Sequence, residues 1–215
     1  MALPPPDTAL VIDPRAPLVI VDVDEVLAMF MRGFERFIGL HGYEMRITKF
    51  ALFQNIYRSV DGEICDPERG RELFNQFFET DVEHIDPAPG ASEALAKLAR
   101  QASVVVLTNA PGHSREPRAR WLATRGFPYP MVINQGPKGP ATAALAARTS
   151  ARSAFVDDLL VNLESVASEA PAVLRFQHVA DERLRPLAPA DPARHARIDD
   201  WSELGAAIGR ALGLA

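Results

Sequence analysis

Five short apolar blocks punctuate the sequence: Leu18 to Val21 (LVIV), Ser103 to Thr108 (SVVVLT), Met131 to Asn134 (MVIN), Ser153 to Asp158 (SAFVDD) and Ala172 to Phe176 (AVLRF). Continuous apolar runs of this length, rich in β-branched residues, are the pattern of strands buried on both faces. Between the last four lie HSREPRARWLATRG, GPATAALAARTS and LLVNLESVASEA, in which Ala and Leu recur at helical spacing and Gly126 stands where a helix would end. Strands alternating with helices predict right-handed βαβ crossovers. The expected fold is therefore α/β, a doubly wound, mostly parallel Rossmann-like sheet.

The pattern changes between the first block and the second. Phe30, Phe34, Phe37, Ile38 and His41 fall on one helical face, and Leu73, Phe74, Phe77 and Phe78 on another. Eight of the eleven phenylalanines lie in this stretch. They predict a small inserted helical subdomain with its own core, the alternative being an apolar cover for the parent sheet. The insertion takes 29–84, and 1–28 with 85–215 form the α/β core. Pro87 and Pro89 in DPAPG mark the return linker, and hinges are expected near Val26 to Met29 and Asp86 to Gly90. Ala91 to Arg100 is amphipathic, LRPLAPADPARHARIDD reads as a surface connection, and a last helix runs from Trp201 to Leu212 with Asp199 or Asp200 as its N-cap.

Composition narrows the partners. The 215 residues are 47% hydrophobic and 24% charged, in the ordinary globular range. A net charge of -5 offers no basic excess for a nucleic-acid backbone. A membrane span is not expected, since the most apolar stretch, VIVDVDEVLAMFM, is interrupted by three carboxylates. The single Cys65 and a Pro-rich leader, MALPPPDTAL, without a signal-peptide pattern lead to the expectation of a cytoplasmic protein.

In open α/β sheets, ligands bind beyond the carboxyl ends of the strands. There the sequence offers Asp22 and Asp24 after the first strand, Thr108 and Asn109 after the second, and Asp157 and Asp158 after the fourth; the loop GPKGP adds Lys138. An isolated Asp in such a place is an ordinary turn or cap residue. Four carboxylates at one end of one sheet instead repel one another unless protons or a cation neutralise them, and hard oxygen ligands suit Mg²⁺. Asp22 and Asp24, with one residue between them on extended chain, project to the same side. One can attack as a nucleophile while the other exchanges a proton with the leaving oxygen; Thr108 and Lys138 can donate to phosphoryl oxygens. No zinc-protease histidine spacing, GxxxxGK[ST] loop or GxSxG elbow competes.

In order, VIVDVDEVL, VVVLTN, GPKGP and AFVDDLLVNL resemble the four motifs of the haloacid dehalogenase-like (HAD) hydrolase superfamily. The resemblance implies that Asp22 is the nucleophile that becomes an aspartyl-phosphate and Asp24 the general acid and then base. It implies that Thr108 holds the phosphoryl group and Lys138 steadies nucleophile and intermediate. Mg²⁺ would be bound by Asp22, the backbone carbonyl of Asp24 and Asp157, with Asp158 in support. Members that cleave carbon–halogen bonds lack the second aspartate of the first motif, so Asp24 favours phosphate chemistry.

The insertion is similar to the family's helical cap. Phe30, Arg32, Lys49 and Arg58 are its candidate substrate-facing residues, Arg32 foremost because Met29 to Arg32 lies nearest the first motif; Asn109 is the candidate from the core. Phosphonate-cleaving relatives form a Schiff base on a cap lysine, and Lys49 is the only lysine of the insertion. The expected activity is Mg²⁺-dependent hydrolysis of a small-molecule phosphate ester. A phosphomutase or phosphotransferase using the same intermediate, a phospho-receiver and a non-hydrolytic phosphate-binding protein stand as alternatives.

Overall fold

The computed structural model describes residues 10–214, so the Pro-rich leader lies outside the described residues apart from Leu10. Six strands form one parallel sheet in the order β5-β4-β1-β6-β7-β8. They are β1 (Leu18–Val21), β4 (Ser103–Thr108), β5 (Met131–Ile133), β6 (Ser153–Asp157), β7 (Leu174–Gln177) and β8 (Ala196–Arg197). The five apolar blocks supply the first five, and the doubly wound α/β expectation holds. β8 was expected as surface connection; it is two residues long and joins the sheet edge beside Phe176 and Gln177.

The blocks are apolar throughout because both faces are covered. Val19 and Val21 of β1 face a core shared with Leu95, Trp121 and Trp201, whereas Leu18 and Ile20 face Leu145, Leu163 and Val166. The helices that cover the sheet are α3 (Ala91–Leu98), α4 (Arg115–Thr124), α5 (Gly139–Ala146), α6 (Leu160–Glu169) and α7 (Trp201–Leu212). Gly126 follows α4 at φ +89°, a left-handed conformation open to glycine. Asp200 caps α7 by accepting from Glu203 N at 2.9 Å.

Between β1 and α3 run α1 (Phe30–Leu40), β2 (Tyr43–Met45), β3 (Ile56–Arg58) and α2 (Pro67–Thr80). The two helices fall where the phenylalanine faces predict. The antiparallel β2–β3 pair was not expected: each strand has three residues, and none carries a continuous apolar run. Phe30, Phe34, Phe74, Phe77 and Phe78 stack edge to face and in parallel, with ring centroids 4.8–6.4 Å apart. This aromatic cluster is continuous with the core under the Val19–Val21 face of the sheet, so the segment between β1 and α3 packs on the sheet as well as on itself. The two connecting segments are laced together, Met29 N donating to Asp86 O at 2.9 Å and Ala88 N to Leu27 O at 2.7 Å. Among the described residues, no helix is long and apolar enough to cross a membrane.

Candidate active site

Register determines what meets at the carboxyl end of the sheet. β1 lies between β4 and β6, with Val21 opposite both Val106 and Val156. Asp22 extends the ladder, its N–H donating to Val156 O at 3.0 Å, which sets it beside Asp157. Lys138, at the start of α5, reaches into the gap: its Nζ is 2.6 Å from Asp22 Oδ1 and 2.7 Å from Asp157 Oδ2. Asp157 also accepts from Leu159 N at 2.9 Å and Asn162 Nδ2 at 3.0 Å, both at the start of α6. Gly139 makes this placement possible, because α5 and α6 approach so closely there that its N–H meets Ser165 Oγ at 3.0 Å.

Carboxylate oxygens of Asp22, Asp157 and Asp158 lie within 4.8 Å of one another, all three residues buried. Burial pushes the Asp22 carboxyl up to about 7, against the opposing pull of Lys138. Asp158 is raised well above the usual range by burial and by the charges of Asp157, Asp22 and Glu25. Burial alone would lower Lys138, but Asp157 and Asp22 more than offset it and hold the ammonium above the ordinary lysine range. The cluster is therefore short of positive charge, and three converging hard oxygen donors fit a divalent cation such as Mg²⁺.

Asp24 stands apart from these three. Its Oδ1 accepts from Arg118 Nη2 at 2.6 Å, and the guanidinium is fully buried, 5.1 Å from the Phe78 ring centre and 5.6 Å from that of Trp121. Arg118 escapes sequence reading: it is one of three arginines in REPRARWLAT, and only the packing of α4 reveals which one is inside. Glu25 was likewise not singled out. It adopts φ +59°, strained for a side chain other than glycine, and its buried carboxylate accepts from Met31 N at 2.6 Å and Asp181 N at 3.0 Å. It thereby caps α1, whose own N-cap residue Met29 offers no side-chain bond, and ties the insertion to the chain after β7. Burial raises Glu25 to about 7.

A cavity of about 250 Å³ opens above this cluster. Asp22, Asp24, Glu25, Lys138 and Asp158 line its floor, together with Asn109 and Asn162. Thr108 and Asp157 are fully buried and do not line it; the Thr108 hydroxyl accepts from Ala110 N at 3.3 Å. Asn109 fixes the adjoining loop, donating to Gly136 O at 3.0 Å and accepting from Asn134 Nδ2 at 2.8 Å. Of the candidates from the insertion, Phe30 lines the cavity, whereas Arg32, Lys49 and Arg58 do not. Arg32 pairs with Glu182 and approaches Asp181 at 3.6 Å; Arg58 pairs with Asp61 and Glu63, each at 2.6 Å.

No protein-family model and no curated protein matches the sequence. Solved structures do match in three dimensions. A HAD family hydrolase from Deinococcus radiodurans R1, with phosphate and sodium bound, superposes with a TM-score of 0.62 at 15% identity, over 94% of this chain and 100% of that one. A HAD-type hydrolase from Bacillus subtilis bound to magnesium gives 0.64 at 14% identity, over 93% and 100%. A HAD-superfamily hydrolase of subfamily IA from Geobacter sulfurreducens gives 0.54 at 18% identity, over 88% and 97%. Agreement over nearly the whole length at such low identity is agreement of architecture: this chain has the fold of the haloacid dehalogenase-like hydrolase superfamily.

Proposed function

We propose that the protein is a Mg²⁺-dependent phosphomonoester hydrolase that works through an aspartyl-phosphate on Asp22. The observation that carries this reading is the contact of Lys138 with both Asp22 and Asp157, Lys138 and Asp22 lining a cavity that Asp24, two residues beyond Asp22, also faces. Asp22, Asp157 and Asp158 would hold the cation, together with the backbone carbonyl of Asp24. When bound, the cation would offset the negative charge of the phosphoryl oxygens and of the carboxylates.

In the first half-reaction an Asp22 oxygen attacks phosphorus, the bond from phosphorus to the ester oxygen breaks, and Asp24 gives its proton to that oxygen. In the second, Asp24 takes a proton from the water that attacks the aspartyl-phosphate, and inorganic phosphate leaves with Asp22 restored. Lys138 keeps the nucleophilic carboxylate oriented and stabilises charge on the transferring group. Thr108, at the end of β4, is the candidate donor to a phosphoryl oxygen; the Ala110 N–H already bonded to its hydroxyl oxygen leaves its proton free to donate. Asn109 fixes the floor of the cavity between β4 and β5. The insertion acts as the cap over the site. No observation places Arg32 at the substrate.

The test is release of inorganic phosphate from acetyl phosphate with Mg²⁺ and with a chelator, in the native protein and in Asp22→Asn. Metal-dependent release that the substitution abolishes supports the reading, and release unaffected by it refutes Asp22 as nucleophile. Analysis of the products for a phosphate moved to another hydroxyl distinguishes hydrolysis from a mutase or transferase.

A further inference from the structure

The floor and the roof of the cavity differ in chemistry. The carboxylates and the one ammonium that line it come from the ends of β1 and β6 and the start of α5, and form its floor, whereas Phe30, Met31, Phe50, Ala51, Leu52 and Phe74, all between β1 and α3, make up its roof together with Leu184. Among the described residues, Lys138 is the only cationic side chain lining the cavity, and it is already engaged by two aspartates. Arg32, the nearest alternative in sequence, is held by Asp181 and Glu182. A leaving group carrying a second phosphate or a carboxylate would find no partner, and a sugar would lay its hydroxyls against hydrocarbon, where unpaired polar groups are costly.

The roof is also held in place. Asn55, fully buried between β2 and β3, donates from Nδ2 to Lys49 O at 2.9 Å and Ala51 O at 2.6 Å, and accepts on Oδ1 from Thr48 N at 3.0 Å and Lys49 N at 3.3 Å. One side chain thus closes the loop that carries Phe50 and Leu52 over the aspartates. The apolar ceiling is a built wall.

We infer that the substrate is a phosphate monoester whose leaving group is small, uncharged and apolar, about one ring or a short branched chain in size. A cavity of roughly 150 Å³ accepts a benzene ring, so 250 Å³ holds one such group together with the phosphoryl. The inference rests on the phosphatase reading above.

The experiment compares kcat/KM in Mg²⁺ for benzyl phosphate and 2-methylpropyl phosphate with that for glycerol 1-phosphate and glucose 6-phosphate. All four release a primary alcohol, so leaving-group acidity does not set the ranking. Acetyl phosphate, which carries neither ring nor chain, reports on the phosphoryl chemistry itself. The expected result is a preference of about tenfold or more for the two apolar esters, the scale on which apolar pockets discriminate. Leu52→Gln should shrink that preference several-fold. Equal rates, or faster hydrolysis of the glucose or glycerol ester, overturn the inference and leave the phosphatase reading standing. An unchanged preference in Leu52→Gln overturns the role of the roof. No release from any of the four esters or from acetyl phosphate removes the phosphatase reading and the leaving-group inference with it.

Discussion

The Arg118 guanidinium, fully buried on α4, donates to Asp24 Oδ1 at 2.6 Å, while Asp24 itself is 24% exposed to the cavity. Arg118 Nε and Nη1 have no hydrogen-bond partner. The carboxylate is therefore what justifies the buried cation, whereas the carboxylate has water as a second recourse.

This asymmetry gives the first prediction. Asp24→Ala strands a buried positive charge and should destabilise the protein by about 3 kcal/mol. Arg118→Met leaves a carboxylate that solvent can reach and fills much of the space between Phe78 and Trp121, so it should cost less than half as much. Urea unfolding of the two variants checks the order, and the reverse order would show that Asp24 is not the main support of the guanidinium.

Much of this site was legible as strand ends. Asp22, Asp24, Thr108, Asp157 and Asp158 each follow an apolar block, and parallel pairing around β1 brings such positions to one level. What was hidden depends on packing. Arg118 is buried by where α4 settles, and Glu25 by a left-handed backbone that sequence assigns to glycine first. Arg32 lies close to Asp22 in sequence, but α1 carries its side chain to Asp181 and Glu182. β8 escaped because pairing of backbone groups, with no apolar signal, makes Ala196–Arg197 a strand.

Gly139 sets the position of Lys138. A Cβ on this residue would collide with the Ser165 carbonyl oxygen and hydroxyl and lie 2.8 Å from Glu169 Cγ. Backbone cannot yield there without moving α5 from α6. Gly139→Ala should cost about 1 to 3 kcal/mol by overpacking, and it should also lower turnover, since Lys138 Nζ would lose its fit between Asp22 and Asp157. Denaturant unfolding and a phosphate-release assay on the same preparation check both effects.

His178 should make stability fall in weak acid. Burial pushes its imidazole down to about 4, reinforced by the charge of Arg185 and resisted by the charges of Asp199 and Asp200; Nδ1 lies 2.9 Å from Ile198 O, and Nε2 is buried without a partner. The folded state favours the neutral ring, so the unfolded chain binds the proton first. Stability from this group is complete above about 6.5 and is lost progressively as pH falls toward 4. Glu25 and Asp22, both raised to about 7, act in the opposite direction over an overlapping range, so the reading must be a difference. Between pH 7 and pH 5 the stability advantage of the native protein over His178→Gln should shrink by about 2 kcal/mol. An advantage that does not change would mean that His178 titrates normally in the fold.

Asp22 is the residue proposed to take the phosphoryl group. Mass spectrometry of the protein quenched in acid during turnover of acetyl phosphate with Mg²⁺ tests this role directly. The expected result is a phosphoryl adduct on the peptide containing Asp22, absent in Asp22→Asn and absent when the metal is chelated. An adduct on another residue, or phosphate release by Asp22→Asn at the native rate, would contradict it.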